Sequence, residues 1–136
     1  MTKDEGLMTY CLNPICSNPE NPNRDRFCRS CGALLWLKER YFALKLLGQG
    51  GFGRTFIGRD RHIPSSPLCV IKQLYCQQMH PDLQEKAIAL FEQEASHLQN
   101  LGVHPQIPTL LAYLEQDGQL YLVQEYVDGE TLDPAT

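Results

Sequence analysis

Gly48-Gln49-Gly50-Gly51-Phe52-Gly53, followed by Lys72 within Leu68-Cys69-Val70-Ile71-Lys72-Gln73-Leu74, decides how this chain is read. A glycine turn lets backbone N–H groups approach phosphate oxygens, because no Cβ blocks the way. The G-x-G-x-x-G pattern also opens dinucleotide-binding folds, which need a helix starting at the glycines and an acidic residue about 20 positions on. Here Arg54-Thr55-Phe56-Ile57-Gly58 comes next, and it reads as a strand. The turn is therefore a hairpin, and a plain glycine-rich hairpin without a ligand is the competing reading. Lys72 weighs against that alternative. Alternation puts Val70, Lys72 and Leu74 on one face of their strand, where an ammonium is costly unless it meets an anion.

Working outward, residues 42–47, 55–57 and 68–74 read as three strands, the third set off by the loop Pro64-Ser65-Ser66-Pro67. Residues 81–101 read as a helix that starts at Pro81 and is capped by Gly102. Its inward stripe runs through Ala87, Phe91, Leu98 and Leu101, with Glu94 between Phe91 and Leu98. A carboxylate on that stripe and a lysine on an apolar strand face explain each other as an ion pair. Residues 109–114 and 120–126 form a hairpin around Asp117-Gly118.

The N-terminal stretch has a different texture. Asn13-Pro14, Asn18-Pro19 and Asn21-Pro22-Asn23 favour turns, and a boundary is expected near residue 40. Cys11, Cys16, Cys28 and Cys31 form a C-x4-C-x11-C-x2-C pattern. Two thiolate pairs separated by a loop can meet at one tetrahedral point, as a structural zinc requires. Metal binding would supply folding energy that so polar a segment lacks. Disulfides are the alternative, favoured in a secreted chain, and nothing in the N-terminal sequence reads as a secretion signal. Cys69 reads as a small core residue and Cys76 as a thiol beyond the strand. Trp36 is expected to anchor the four-cysteine segment to the strands beyond residue 40.

Composition narrows the function classes. The chain has 136 residues, 43% hydrophobic and 21% charged, which suits a globular protein. A net charge of −4 with a pI near 5.5 argues against a nucleic-acid-binding role. No apolar run approaches the roughly 20 residues of a membrane span. The expected location is the cytoplasm.

Gly48-x-Gly50-x-x-Gly53, Val70-Ile71-Lys72, Phe91-Glu92-Gln93-Glu94-Ala95 and Tyr121-Leu-Val-Gln-Glu-Tyr-Val127 resemble, in order and spacing, the N-terminal lobe of serine/threonine protein kinases. The four-cysteine prefix resembles that of a bacterial, cyanobacterial-type subgroup. The resemblance covers residues 41–136 and implies an α+β class. Its expected parts are a kinase-like N-lobe (a five-stranded antiparallel sheet with one main helix) and a small zinc-ribbon-like module over residues 1–40. It implies ATP with Mg2+ as cofactor, beside a structural Zn2+ on the four cysteines. Lys72 and Glu94 would be the catalytic pair, Lys72 on the α- and β-phosphates and Glu94 orienting it. Gly48, Gly50, Gly51, Phe52 and Gly53 would form the lid over the phosphates. Leu47 and Val70 would enclose the adenine, with Thr55 where the family usually has valine. Gln124 resembles the gatekeeper, and Glu125 and Val127 would offer main-chain groups to the adenine edge.

Phosphoryl transfer also needs the H-R-D and D-F-G motifs of the helical lobe, and neither occurs in these 136 residues. One expectation is thus a partial serine/threonine kinase, inactive by itself, that needs its helical lobe and acts on protein substrates. The other is a non-catalytic binding module in which ribbon and lobe dock on a partner protein such as another kinase.

Overall fold

The computed structural model describes residues 8–22, 25–50, 53–75 and 79–127. In chain order these form β1 (Met8–Tyr10), β2 (Glu20–Pro22), β3 (Trp36–Leu37), β4 (Tyr41–Gln49), β5 (Gly53–Asp60), β6 (Leu68–Leu74), α1 (Pro81–Leu101), β7 (Leu110–Gln116) and β8 (Gln119–Glu125). Five strands from β4 onward, with one helix, match the expected lobe. The sheet itself differs from expectation, because it has eight strands rather than five. Its order is β2-β1-β4-β5-β6-β8-β7, with β3 also on β4.

The extra strands come from the four-cysteine segment. Tyr10 pairs with Ala43, Trp36 with Phe42 and Leu37 with Tyr41, all antiparallel. The edge of β4 away from β5 would otherwise leave a row of backbone donors and acceptors unpaired. The segment satisfies that edge while gaining ladder bonds its own sequence could not organise. Residues 38–40 close the β3–β4 hairpin, with Lys38 and Glu39 at φ 50 and 57.

Strand alternation gives the sheet two different faces. Toward α1 it presents Leu74, Leu120 and Leu122, which meet Ala87, Ala95 and Leu98 of the helix together with half-buried Phe91 and Ile107. The opposite face carries Ala43, Phe56, Ile71, Tyr121 and Val123, packed with Leu12 and Leu37 of the four-cysteine segment. That segment thus covers what would otherwise be an exposed apolar sheet. Gly58 marks the tightest approach of β5 to β4, since a Cβ there would lie 2.4 Å from the Phe42 carbonyl oxygen.

The helix has the bounds its caps imply. His80 caps its N-terminus through Nδ1, which accepts from the Asp82 N–H at 3.2 Å. Gly102, at φ 61, donates its N–H to the carbonyls of Leu98 and Gln99. Two guanidinium groups lie over the Trp36 ring, Arg26 at 5.0 Å and Arg61 at 3.8 Å from its centre. Since Arg61 directly succeeds β5, this stack ties the four-cysteine segment to the rest of the sheet.

Asp60, 2% exposed, closes the far end of the β4–β5 pair. Arg40 holds it with two bonds, Nε to Oδ1 at 2.9 Å and Nη2 to Oδ2 at 2.8 Å. The arginine therefore keeps the Asp60 carboxyl below the usual carboxylate range. A depressed folded-state value means stability that is present above the ordinary carboxyl value and lost as pH falls through the folded one. Asp60→Asn is expected to lower stability by about 2 kcal/mol at neutral pH, the scale of bonds to a charged group. Denaturant melts from pH 7 to pH 2 should show that deficit shrinking as the parent protein protonates.

Candidate functional site

Two side-chain constellations stand out, one on each face of the sheet. On the helix side, Lys72 Nζ lies 2.9 Å from Glu94 Oε2. Strand β6 aims Lys72 at α1 between buried Val70 and Leu74, and the helix brings Glu94 to it. The ion pair expected from the two misplaced charges is present. Glu94 sits at the margin of the buried helix face rather than within it: its side chain is 43% exposed, and Ala95 takes the inward position. Lys72 is 24% exposed, so the pair borders open space.

The glycine turn lies beside this pair. Thr55 pairs with Lys72 across β5 and β6, and Gly53 pairs with Leu74. The turn closes through the Gly50 N–H, which donates to the Gly53 carbonyl at 2.9 Å. A Cβ built on Gly50 would meet nothing within 4 Å, whereas one on Gly53 would lie 3.0 Å from the Gln73 carbonyl. Packing therefore accounts for glycine at 53 but leaves Gly50 facing open space. Leu47 and Gly48 are half-buried at a register shift in β4. Val70 and Gln124 are both buried and paired between β6 and β8. Glu125 donates its N–H to the Thr109 carbonyl, and its carboxylate accepts from the Thr109 N–H. Its main-chain donor is thus committed within the protein. Val127 is half-buried. Gly51, Phe52 and Cys76 lie outside the described residues.

The second constellation is the cysteine cluster. The four sulfurs of Cys11, Cys16, Cys28 and Cys31 lie within 4.8 Å of one another. Cys11 and Cys31 approach to 3.6 Å and Cys16 and Cys28 to 3.7 Å. Zinc–sulfur bonds of about 2.3 Å in a tetrahedron set sulfur–sulfur distances near 3.8 Å, whereas a disulfide would bring two sulfurs to about 2.05 Å. The donor set therefore fits a tetrahedral thiolate site. Gly32, at φ 81, makes the turn after the second pair.

Hydrogen-bond donors surround the sulfurs. The N–H groups of Asn13 and Ser30 point to Cys11 Sγ at 3.5 Å and Cys28 Sγ at 3.4 Å. The side-chain amides of Asn13 and Asn21 donate to Cys31 and Cys28, each at 3.4 Å. Burial opposes a thiolate at Cys28, but the Cys31 N–H, the Asn21 amide and the Ser30 N–H outweigh it and bring the thiol down to about 6. Burial dominates at Cys11 and pushes its thiol up. Sequence reading took the asparagines for turn formers only. Their fixed spacing of two from Cys11 and seven from Cys28 was the available signal.

A polar network missing from the sequence reading connects the two constellations through the sheet. The Leu12 carbonyl, next to Cys11, accepts from Gln73 Nε2 at 2.5 Å and from Arg54 Nη2 at 3.1 Å. Arg54 Nε donates to Gln73 Oε1 at 2.9 Å, and Gln73 Nε2 also reaches the Tyr121 hydroxyl at 3.0 Å. Burial pushes the Tyr121 phenol up to about 12, so it stays protonated. Arg54 adjoins Gly53 of the glycine turn, and Gln73 adjoins Lys72. The cysteine segment therefore grips the two strands that present the glycines and the lysine.

The protein kinase domain family matches residues 41–136. Serine/threonine-protein kinase B of Synechocystis sp. is 50% identical over 125 residues, which cover 92% of this chain and 22% of that protein. A match of that length runs past the kinase-type region into the four-cysteine segment. Serine/threonine-protein kinase F of the same organism is 38% identical over 146 residues, covering 90% of this chain and 30% of the relative. Serine/threonine-protein kinase PknA of Nostoc sp. is 44% identical over 97 residues, 71% of this chain and 17% of the relative. The chain thus spans less than a third of each of these relatives. Among the described residues no helix is long and apolar enough to cross a membrane. With ordered motifs, a sheet-and-helix lobe and family match agreeing over residues 41–136, the chain belongs to the protein kinase family.

Proposed function

We propose that residues 41–136 are the ATP-binding lobe of a serine/threonine protein kinase, and that residues 1–40 are a zinc-holding module attached to it. The observation that carries the nucleotide reading is the Lys72–Glu94 pair, 2.9 Å apart beside the glycine turn. Lys72 would bind the α- and β-phosphates as a compact charge, and Glu94 would hold its ammonium in place. Gly48, Gly50 and Gly53 would let backbone N–H groups approach those phosphates, which the open side of Gly50 supports. Leu47, Thr55 and Val70 would line the adenine, with Gln124, Glu125 and Val127 at its edge. Bound ATP with Mg2+ supplies the phosphoryl group that the family transfers to protein hydroxyls. Cys11, Cys16, Cys28 and Cys31 would hold Zn2+ with no open position, a structural rather than catalytic arrangement.

The 136 residues contain neither the aspartate that accepts the hydroxyl proton nor the residues that hold magnesium. By themselves they should transfer no phosphate to a serine- or threonine-containing protein. An assay with γ-labelled ATP tests this. Transfer by the purified chain that Lys72→Ala abolishes would contradict it.

A further inference from the structure

We infer that Arg54 is the charge partner of the four-cysteine metal site, an assignment that rests on the zinc reading above. Among the described residues, Arg54 and Asp60 are the buried charged side chains, at 8% and 2% exposure. Asp60 has Arg40 as its counter-ion. Arg54 has no carboxylate partner among the described residues. Its nitrogens reach Gln73 Oε1 and the Leu12 carbonyl, and its guanidinium lies 5.0 Å over Phe56. Those contacts satisfy hydrogen bonds but bring it no opposite charge among the described residues.

Four thiolates around one divalent zinc carry a net charge of −2. Two of the sulfurs belong to residues almost wholly shielded from water, Cys11 at 0% and Cys28 at 3% exposure. On the buried side of the site, at Cys11 and Cys28, solvent screens that negative charge poorly, so a nearby cation stabilises it. Arg54 is bonded to the carbonyl of the residue next to Cys11. The Leu12 carbonyl already has a neutral donor in Gln73, so the hydrogen bond alone does not require an arginine. Burial, the largest influence on Arg54, holds its pKa below the ordinary arginine value, as expected of a guanidinium kept from water.

The test is zinc affinity of the full 136-residue chain, measured by competition with a chromophoric chelator. Arg54→Gln keeps a donor without the charge, and Arg54→Lys keeps the charge. Each is made in the native background and beside Cys31→His, where three thiolates and an imidazole lower the net charge of the site to −1. Cys31 is exposed, so that exchange is spatially tolerable. The expected result is a loss of about 10- to 100-fold for Arg54→Gln, the scale of outer-shell partners of a metal. Arg54→Lys keeps the charge but not the forked contacts over Phe56, so its loss should be clearly smaller than that of Arg54→Gln without being absent. The Arg54→Gln loss should shrink several-fold in the Cys31→His background, as charge pairing requires and a packing role does not. Equal losses in both backgrounds, no loss, or equal harm from Lys and Gln would overturn the assignment. A variant that merely folds poorly gives equal losses and counts against it. A native chain that takes up no zinc would bring down the metal reading itself; normal uptake with background-independent losses would remove only the role of Arg54.

Discussion

A strong chelator is expected to release about one zinc ion per chain and to unfold residues 8–35. The apolar core of the segment itself is small: Cys11, Cys28 and Leu35, with half-buried Cys16, Ala33 and Trp36 around them. Structural zinc sites bind with about 10–16 kcal/mol near neutral pH, as much as the whole stability of a typical domain. The consequence should not stop at the segment. Leu12 and Leu37 cover Phe56, Ile71 and Tyr121, and the Leu12 carbonyl satisfies Arg54 and Gln73. Metal loss would expose that apolar face and take the Leu12 carbonyl away from Arg54 and Gln73, which would turn to water instead. Hydrogen exchange should therefore quicken along β5 and β6 as well as in the cysteine segment, and the thermal midpoint should fall by more than 10 °C, since about 1 kcal/mol moves it roughly 4–8 °C in a domain of this size. Cys28→Ala should reproduce the effect. A protein stripped of metal with unchanged exchange in both regions would contradict the account of how the segment is held.

Lys72→Ala is expected to weaken Mg·ATP binding by about 30-fold while leaving the fold intact. The two halves of that statement rest on different magnitudes. A charge-assisted bond to phosphate is worth about 2 kcal/mol, which converts to about 30-fold in affinity. The ion pair itself, with side chains 24% and 43% exposed, belongs to the class of pairs that add about 0–1 kcal/mol to stability. Removing Lys72 would also leave Glu94 facing the phosphates as a like charge. Glu94→Gln keeps the lysine and frees its position, so a smaller loss of about fivefold is expected. Equal melting curves for the three proteins, with affinities in that order, would separate a binding role from a structural one.

Much of the lobe was legible because its signals are local. Pro81 and Gly102 bracket α1 at its observed ends, and Asp117-Gly118 marks the β7–β8 turn. Lys72 and Glu94 could be paired from sequence because each charge falls at or near an apolar stripe. The placement of Glu94 was harder to read, since a single 100° step decides whether it or Ala95 faces inward. Strands β4 and β5 run beyond their expected ends, as glycine and polar residues at 48–49 and 58–60 hide ladder positions that the partner strands enforce.

The four-cysteine segment was legible as chemistry but not as architecture. Its spacing points to a shared metal, yet Asn- and Pro-rich residues gave no hint that residues 8–10 and 36–37 would extend the sheet. Long-range backbone pairing overrode local propensity there. One signal was available. Phe56, Ile71 and Val123 alternate away from the lysine face, and a sheet apolar on both faces needs a cover on each. Arg54, Gln73 and Tyr121 lie on that same face and are buried with it.

The central claim is that the glycine turn, Lys72 and Glu94 form a nucleotide-phosphate site. Its most direct test is a titration of the 15N-labelled chain with Mg·ATP, monitored by amide chemical shifts. The expected result is saturable, roughly millimolar binding (about 4 kcal/mol) with shifts at Gly48, Gly50, Gly53, Val70, Lys72 and Val127, strongly weakened in Lys72→Ala. Shifts confined to other parts of the chain, or titration curves that Lys72→Ala leaves unchanged, would contradict it.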